Sequence, residues 1–207
     1  MPRNSLTGGD SIAARASLDG LALSVHARAA GAFEQLVEHF ERPLFNYVQR
    51  MLRSVPDAQE VVQDTFVRAH RALTRQYSRE RCCALTLRPW LFRIARNLSH
   101  NKRRGLRHQV ECWIEPEHQE AVAAPTETLA AICRVEQREE LERLERAMAE
   151  LPVDSRELVV LRFIEEMSYA EIATTTGQSE AALRGKVFRA LKLLRDVLDR
   201  QEKNPAM

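Results

Sequence analysis

The chain has 207 residues, of which 44% are hydrophobic and 29% are charged. This composition is typical of a folded globular protein and excludes a chain that is disordered throughout. The formal net charge is only +2, so the total charge indicates no partner and the distribution of charge along the chain has to be examined.

Residues 1–30 are predicted to form a mobile tail, because they are rich in Gly, Ser and Ala. Asp10, Arg15, Asp19 and His26 interrupt the apolar residues of this segment, which therefore lacks the continuous apolar core of a signal peptide. No run elsewhere approaches the roughly 20 apolar residues of a membrane span. We therefore expect a cytoplasmic protein with no direct insertion into a membrane.

The placement of glycine favours an all-α protein. No glycine occurs between Gly31 and Gly105, and the next one is Gly177. A strand-rich chain needs frequent glycine-containing turns, and no Asn-Gly or Asp-Gly hairpin signal occurs in the segment that lacks glycine. We predict two small helical domains joined by a flexible linker.

Three helices are predicted for the first domain, residues 31–107. Apolar residues recur at steps of three and four from Phe33 to Leu52, where Pro43 is expected to introduce a kink. A second helix is predicted to begin at Asp57, because Glu60 follows three residues later as in a capping box. Residues 73–87 show no clear period and are predicted to be a loop. The third helix is expected to follow Pro89 and to end at Gly105.

Residues 108–128 are predicted to be an inter-domain linker, because they contain two prolines, several glutamates and no hydrophobic period. The second domain, residues 129–202, is predicted to end in a helix-turn-helix. Ser168 and Glu171 have the spacing of a capping box, Gly177 suits the left-handed conformation that ends a helix, and Ser179 is a favourable N-cap for the last helix.

Two segments of the chain contain basic residues and no acidic ones, so the near-neutral net charge conceals two cationic surfaces. The residues that we call the first basic patch lie between positions 81 and 110: Arg81, Arg88, Arg93, Arg96, Lys102, Arg103, Arg104 and Arg107. Those of the second basic patch lie on the last helix: Arg184, Lys186, Arg189, Lys192 and Arg195. A charge run is usually a solvated helix face, but two single-sign runs favour a nucleic-acid-binding protein.

The last helix contains Gly185 in its middle, where glycine costs up to ~1 kcal/mol relative to alanine. The apolar residues that are expected to face inward are Leu183, Val187, Ala190, Leu191 and Leu194. Those expected on the opposite face are Gly185, Phe188, Arg189 and Lys192. A recognition helix enters the major groove with its N-terminal half, so our hypothesis is that Gly185 lets the backbone and a phosphate approach closely.

No metal site or cofactor is predicted. The four cysteines (Cys82, Cys83, Cys112 and Cys133) do not form a CxxC pair, and free thiols are expected, although a redox role is left open. Three histidines and Cys112 are close in sequence, but no spacing places them on one helix face: His100, His108 and His118.

Three stretches, in this order and spacing, resemble the extracytoplasmic-function group of bacterial RNA polymerase sigma factors. They are DAQEVVQDTFVRAHRAL, RPWLFRIARNLSHNKRR and LPVDSRELVVLRFIEEMSYAEIATTTGQSEAALRGKVFRALKLL. The resemblance covers about residues 31–107 and 130–200. It implies an alternative sigma factor that binds core RNA polymerase, recognises the −35 and −10 promoter elements, helps to melt DNA and initiates transcription of a specific regulon. It also implies an inhibitory anti-sigma partner.

The resemblance assigns roles to three groups of residues. The helix of the first motif would contact polymerase through Asp57, Glu60, Gln63, Asp64 and Arg68. The −10 element would be bound by Tyr77, Arg79, Asn97 and Asn101 near a pocket for an unpaired base, and by Arg96, Lys102, Arg103 and Arg104 at phosphates. The −35 element would be read by Arg184, Gly185, Lys186, Phe188, Arg189 and Lys192. Trp90 is expected to belong to the core.

Two other classes of protein are possible alternatives. A stand-alone helix-turn-helix transcriptional regulator would explain the second domain, but neither the first basic patch nor a helix that contacts polymerase. A DNA-modifying enzyme such as a recombinase needs a nucleophile or paired carboxylates in a defined setting, and neither Ser99 nor Asp64 has such a setting. We therefore expect no catalysis by this chain alone.

Overall fold

The computed structural model describes residues 20–110 and 129–203. These residues form helices and connecting turns without a strand, which confirms the all-α prediction. The helices are α1 (20–26), α2 (Ala32–Leu52), α3 (Val55–Arg71), α4 (Arg79–Cys83), α5 (Leu87–Val110), α6 (Leu129–Glu150), α7 (Val153–Val159), α8 (Tyr169–Thr176) and α9 (Glu180–Lys203). A π-helical turn follows α3 at Ala72–Gln76, and another follows α7 at Val160–Ile164.

The core of the first domain is formed mainly by α2, α3 and α5, which pack against one another. The predicted apolar face of α2 is buried, including Leu36, Phe40 and Leu44, and the helix continues through Pro43. Residues 20–26, which the sequence places in the mobile tail, are helical and bury Ala22 and Val25 in this core. The rest of the predicted tail, residues 1–19, lies outside the described residues.

The structure differs from the prediction in three parts of the first domain. Helix α3 begins earlier, because Ser54 is the N-cap and its side chain accepts a hydrogen bond from the Asp57 backbone N–H. The predicted loop contains the short helix α4, which is capped by Ser78. Helix α5 begins at Leu87 and continues past Gly105 to Val110, since a single glycine weakens a helix without ending it.

The second domain has α9 packed against α6, α7 and α8. The capping box is present: Ser168 accepts from the Glu171 backbone N–H, and the Glu171 carboxylate accepts from the Ser168 backbone N–H. Gly177 ends α8 with a φ of 74°, as predicted from its freedom to adopt the left-handed conformation. Ser179 caps α9, with its hydroxyl 3.4 Å from the Ala182 backbone nitrogen.

Some predictions fall on residues that the structure does not describe. Of the linker predicted at 108–128, residues 111–128 lie outside the described ranges, as do Cys112 and His118. The side chains of His108 and Cys133 are not described either. Within residues 20–110 and 129–203, no cluster of three metal-ligating side chains occurs, and no helix has both the length and the apolar character needed to cross a bilayer.

Candidate nucleic-acid interface

Helix α9 presents the second basic patch on an open face. Leu183, Val187, Ala190 and Leu194 are buried beneath it, as predicted. Phe188 is 71% exposed, and the residues at 184, 186, 189, 192 and 195 are exposed around it or partly so. Phe188 and the basic side chains around it are therefore accessible to a binding partner.

The inward-facing side of α9 differs from the prediction at one position. Leu191 is 38% exposed, and Val197 takes a place in the core further along the helix. Gly185 lies in the helix, where an added Cβ would be 3.6 Å from the Arg189 Nη1, an ordinary contact distance. The position therefore has room for a side chain.

The charges at the start of α9 are weakly restrained. The Arg184 Nη2 lies 3.4 Å from the Glu180 Oε2 one turn away, and the Arg184 guanidinium lies 5.4 Å from the centre of the Tyr169 ring. The Lys186 ammonium donates to the side-chain oxygen of Gln178 over 2.5 Å. An exposed ion pair at this spacing contributes only about 0.3–0.5 kcal/mol, so Arg184 is free to exchange Glu180 for a stronger anion.

Among the residues assigned to −10 DNA, Tyr77 lies in an aromatic cluster at the start of the first basic patch. The Trp90 Nε1–H donates to the Tyr77 hydroxyl over 3.2 Å, and the two ring centres are 5.8 Å apart. The Arg81 guanidinium lies 3.8 Å from the centre of the Tyr77 ring. Trp90 is half-buried against the core, as predicted, and it holds Tyr77 at the surface.

The remaining residues assigned to −10 DNA follow on α5. Asn97 and Asn101 are exposed, and the Asn101 side-chain oxygen accepts a hydrogen bond from Arg104 over 3.0 Å. Arg79, at the start of α4, is also exposed, whereas Arg103 is half-buried. These residues are accessible for contact with a nucleic acid.

Lys102 joins the two surfaces that the sequence assigns to different partners. Its ammonium lies 3.1 Å from the Asp57 carboxylate and 2.6 Å from the Glu60 carboxylate. The hydrogen bonds to Glu60 and Asp57 raise the pKa of Lys102. The predicted polymerase contacts Asp57 and Glu60 therefore pair with a predicted DNA contact, whereas Gln63, Asp64 and Arg68 are exposed on α3.

A groove of about 1000 Å³ runs between α2 and α3 beside these exposed residues. Its apolar lining comes from Phe33, Val37, Phe45, Val62, Phe66 and Val67. Gln63 and several charged side chains complete the lining. A large groove with an apolar floor and a charged rim suits a helical partner.

The two domains contact each other directly through the Glu157 carboxylate of α7. Its Oε1 accepts a 2.7 Å hydrogen bond from the Tyr47 hydroxyl of α2 and lies 2.9 Å from the Arg96 Nε of α5. The His100 Nε2 is 3.5 Å from the same oxygen. The Glu157 side chain is only 3% exposed and Tyr47 is fully buried.

Opposing effects act on the pKa of Glu157. Burial raises it, but the hydrogen bond from His100, the charge of Arg96 and the hydrogen bond from Tyr47 together lower it below its ordinary value. Burial, with the neighbouring Glu157 charge, raises the pKa of Tyr47 well above its ordinary value. Glu157 therefore accepts these hydrogen bonds as a buried carboxylate.

Further contacts between the domains involve the first turns of α5. Arg88 donates to the backbone oxygen of Glu165, and Arg93 donates to the backbone oxygen of Thr174. The Thr175 hydroxyl lies 3.3 Å from the Pro89 backbone oxygen. The first basic patch thus packs against the second domain along the N-terminal half of α5.

Arg156 links α6 to α2. Its guanidinium donates to the backbone oxygens of Met148, Ala149 and Leu151 over 2.9, 2.6 and 3.1 Å, and to that of Arg50 over 3.2 Å. Burial is the main cause of its lowered pKa. It satisfies carbonyls at the ends of two helices, which would otherwise lack a partner away from water.

The contact between the domains was not predicted from the sequence. One signal of this contact was available in the sequence: Arg156 and Glu157 are adjacent charged residues beside the apolar run of α7. Adjacent charges are rarely buried unless each has a partner. Tyr47 also lies on the buried face of α2 with a hydroxyl that needs an acceptor. No local pattern links residues separated by 110 positions, so their pairing required the tertiary structure.

Two family models match the chain. The Sigma-70 region 2 model matches residues 36–109, and the Sigma-70 region 4 model matches residues 141–194. The first match contains most of α5 with its −10 assignments, and the second contains α8 and most of α9.

Relatives cover most of the chain. The RNA polymerase sigma factor CarQ of Myxococcus xanthus is 32% identical over 176 residues, 84% of this chain and 93% of that protein. The ECF RNA polymerase sigma factor SigM of Bacillus subtilis is 26% identical over 172 residues, 81% of this chain and 95% of that protein. The chain spans 40% of the length of another relative, the probable RNA polymerase sigma factor RfaY of Xanthomonas campestris.

A solved structure resembles the fold over nearly its whole length. CnrH, in complex with the cytosolic domain of CnrY, has a TM-score of 0.63 and 29% identity, covering 88% of this chain and 97% of that one. The paired matches to regions 2 and 4, in the observed order, agree with the resemblance found in the three sequence motifs. The chain belongs to the extracytoplasmic-function group of the sigma-70 family of bacterial RNA polymerase sigma factors.

Proposed function

We propose that this sigma factor directs core RNA polymerase to promoters by reading a −35 element with α9 and binding a melted −10 element along α5. The observation that carries the proposal is the exposed, acid-free face of α9 in a capped helix-turn-helix. A stand-alone helix-turn-helix regulator is not favoured, because the chain also matches the Sigma-70 region 2 model.

For the −35 element, Arg184 lies in the N-terminal half of α9, where a recognition helix reaches base edges, and its long side chain suits bidentate contact with guanine. Lys186, Arg189 and Lys192 would contact phosphates, and Phe188 would cover apolar base surface. Gly185 lies between Arg184 and Lys186, and its lack of a side chain would let the helix backbone approach a phosphate closely.

For the −10 element, Tyr77 would stack on an unpaired base, since base–aromatic stacking contributes about 1–3 kcal/mol and offsets part of the cost of unstacking. Arg79, Asn97 and Asn101 would contact nucleotides near this base. The residues that would hold phosphates are Arg96, Lys102, Arg103 and Arg104.

For polymerase, the groove between α2 and α3 would accept a helical element of the enzyme, with Gln63, Asp64 and Arg68 as polar contacts along its edge. Asp57 and Glu60 would contribute through their pairing with Lys102, which fixes the rim of α3 against α5. We propose no catalysis by this chain alone, because nucleotide addition belongs to the polymerase. It would act in the cytoplasm, where the polymerase works.

We further propose that an anti-sigma factor inhibits the chain. One solved structure of similar fold is a complex of this kind: the sigma factor RpoE with the anti-sigma factor NepR from Bartonella quintana. CnrH was also solved with a bound partner, the cytosolic domain of CnrY. The apolar groove of α2 and α3 and the exposed Phe188 provide surfaces for such a partner.

The test is transcription in vitro with purified bacterial core polymerase and a pooled DNA template in which the −35 and −10 elements are randomised. The chain should bind core polymerase and select a promoter pair from the pool. A chain that binds duplex DNA but neither binds core polymerase nor supports initiation would contradict the proposal and favour the stand-alone regulator.

A further inference from the structure

Helix α1 contacts the π-helical turn that precedes Tyr77. Ala22 and Val25 are buried and hold α1 against the first domain. At the end of this helix, the His26 Nδ1 lies 2.8 Å from the Leu73 backbone oxygen, 47 positions away in the sequence. Because a carbonyl oxygen only accepts hydrogen bonds, the His26 Nδ1–H is the donor. A segment that the sequence places in a mobile tail therefore binds the turn that leads into the −10 surface.

The Leu73 oxygen depends on this donor. It is one of the last four carbonyls of the helical run that ends at Gln76, and such carbonyls have no partner within their own helix. The Tyr77 N–H, which would serve it in an α-helical step, donates to the Ala72 oxygen instead, over 2.9 Å. Leu73 is fully buried, so water does not replace the donor. His26 therefore completes the hydrogen bonds at the end of this turn.

The end of the turn determines where the Tyr77 ring lies. Tyr77 is the first residue after the turn, and Ser78 beside it is the N-cap of α4. The Arg81 guanidinium of α4 covers the Tyr77 ring. Hydrogen bonds from the Glu80 backbone N–H and the Ser78 hydroxyl lower the pKa of the Glu80 carboxylate, and the charge of His26 lowers it further. His26 thus acts on the turn before Tyr77 and on the helix after it.

We propose that His26 is a positioning residue for −10 recognition: its hydrogen bond to Leu73 fixes the π-helical turn and holds the Tyr77 ring where it can stack on an unpaired base. The inference rests on the proposed function, in which Tyr77 captures that base. A ring held in place before binding loses less conformational freedom when a base stacks on it, so stacking offsets more of the cost of unstacking. His26 acts through Tyr77 and is assigned no contact with DNA.

Three substitutions at His26 separate the hydrogen bond from packing. His26→Asn keeps a donor in the same place, because the Asn amide nitrogen and the His Nδ1 are both bonded to Cγ. His26→Leu keeps a side chain of apolar bulk without a donor, and His26→Ala removes both. The matched control is His39→Ala, which removes an imidazole from an exposed position of α2 outside the lining of the α2–α3 groove.

The experiment uses the full-length chain with core polymerase on a promoter selected from the randomised pool. Fluorescence of 2-aminopurine placed in the −10 element measures promoter opening. We expect His26→Leu and His26→Ala to open on the order of tenfold less promoter than His39→Ala, since losing part of the stacking at one base has an effect of this order. His26→Asn should open it as the unmodified chain does.

Two further measurements distinguish positioning from a general structural role. On a template whose −10 element is already unpaired, the variants should differ less, because capture of the base no longer has to offset unstacking. Affinities for core polymerase and for the −35 duplex should be the same for all of them.

Trp90 gives a readout in the free chain. Its Nε1–H donates to the Tyr77 hydroxyl over 3.2 Å, so its fluorescence reports on the position of Tyr77. The chain has two tryptophans, and Trp113→Phe leaves Trp90 as the only one. In that background, the Trp90 emission should change with His26→Leu and stay the same with His26→Asn and with His39→Ala.

Equal promoter opening by His26→Leu, His26→Ala and His39→Ala would overturn the positioning role. A His26→Asn variant as defective as His26→Leu would overturn it too, as would a defect that extends to core binding and the −35 duplex. If His26→Ala does not fold, the comparison of His26→Leu with His26→Asn decides. Failure of the proposed function is a separate result: the unmodified chain would start no promoter-dependent transcription with core polymerase, whatever the Trp90 emission shows.

Discussion

Replacing Gly185 by alanine tests the role of the glycine in the recognition helix. Gly185 is helical, and an added Cβ would meet only the end of the flexible Arg189 side chain, at 3.6 Å. No steric cost therefore opposes the gain in helix propensity, which is about 0.8–1.0 kcal/mol for alanine over glycine. We expect the free energy of unfolding to rise by about this amount and the melting temperature to rise by about 2–4 °C.

Gly177→Ala is the matched control. An added Cβ at Gly177 also has open space around it, but the backbone there has a φ of 74°. An L-residue in the left-handed region is less stable by about 1–2 kcal/mol, so this variant should be destabilised although it makes the same chemical change. The two positions thus differ in backbone conformation and not in available space.

Thermal and denaturant unfolding, followed by circular dichroism, measure both variants. The affinity of both variants for a promoter duplex selected from the randomised pool is measured in parallel. A weaker duplex affinity for Gly185→Ala, despite its higher stability, is expected if the glycine allows close approach of a phosphate. An unchanged affinity would show that Gly185 is merely tolerated, and a fall in stability of Gly185→Ala would refute the argument from helix propensity and available space.

Three further predictions concern residues on or between the domains. Arg184→Ala should weaken binding to the selected −35 duplex by about 1–3 kcal/mol. Its affinity for core polymerase should be unchanged, because Arg184 lies on α9 and not in the α2–α3 groove. Loss of core binding would show that the roles are assigned wrongly. Arg156→Met should lower the free energy of unfolding by roughly 2–4 kcal/mol, since four backbone oxygens lose a charged donor. In the same denaturant titration, Arg195→Met, a change at an exposed position, should alter this free energy by less than about 0.5 kcal/mol. Because the pKa of Glu157 is lowered, its contribution to stability is fully present above the ordinary carboxyl pKa of about 4.3 and is lost as the pH falls through the lowered value. In denaturant titrations from about pH 5 to about pH 3, the free energy of unfolding should therefore fall less for Glu157→Gln than for the unmodified chain. Parallel curves for the two proteins would contradict the assignment.

The features of the fold that depend on local chemistry could be predicted from the sequence. The capping box of Ser168 and Glu171 and the left-handed Gly177 depend on residues close together in the chain, and the structure confirms both. The apolar period of α2 likewise identified a buried face. The cap at Ser54 was missed because Asp57 and Glu60 offered a competing signal three residues later, and both lie near Lys102 instead.

Accessibility of the candidate site could not be predicted in the same way. The absence of acids between residues 81 and 110 identified the first basic patch, but the acids that neutralise part of it come from outside that segment, at residues 57, 60, 157 and 165. The exposure of a charged helix face depends on what the rest of the chain packs against it. A count of charges within one segment contains no information about that packing.

The π-helical turns at Ala72–Gln76 and Val160–Ile164 constrain how chain length can vary here. Each turn closes with a five-residue step, from the Tyr77 N–H to the Ala72 oxygen and from the Glu165 N–H to the Val160 oxygen. Tyr77 and Glu165, which both lie beside the first basic patch, therefore take their direction from one extra residue in the preceding helix. Deleting a residue from either turn would let an α-helical step close it, whereas deleting a residue within a regular α-helix rotates the part beyond it by about 100°. Single-residue deletions should therefore be tolerated better in these two turns than in the middle of α3 or α5.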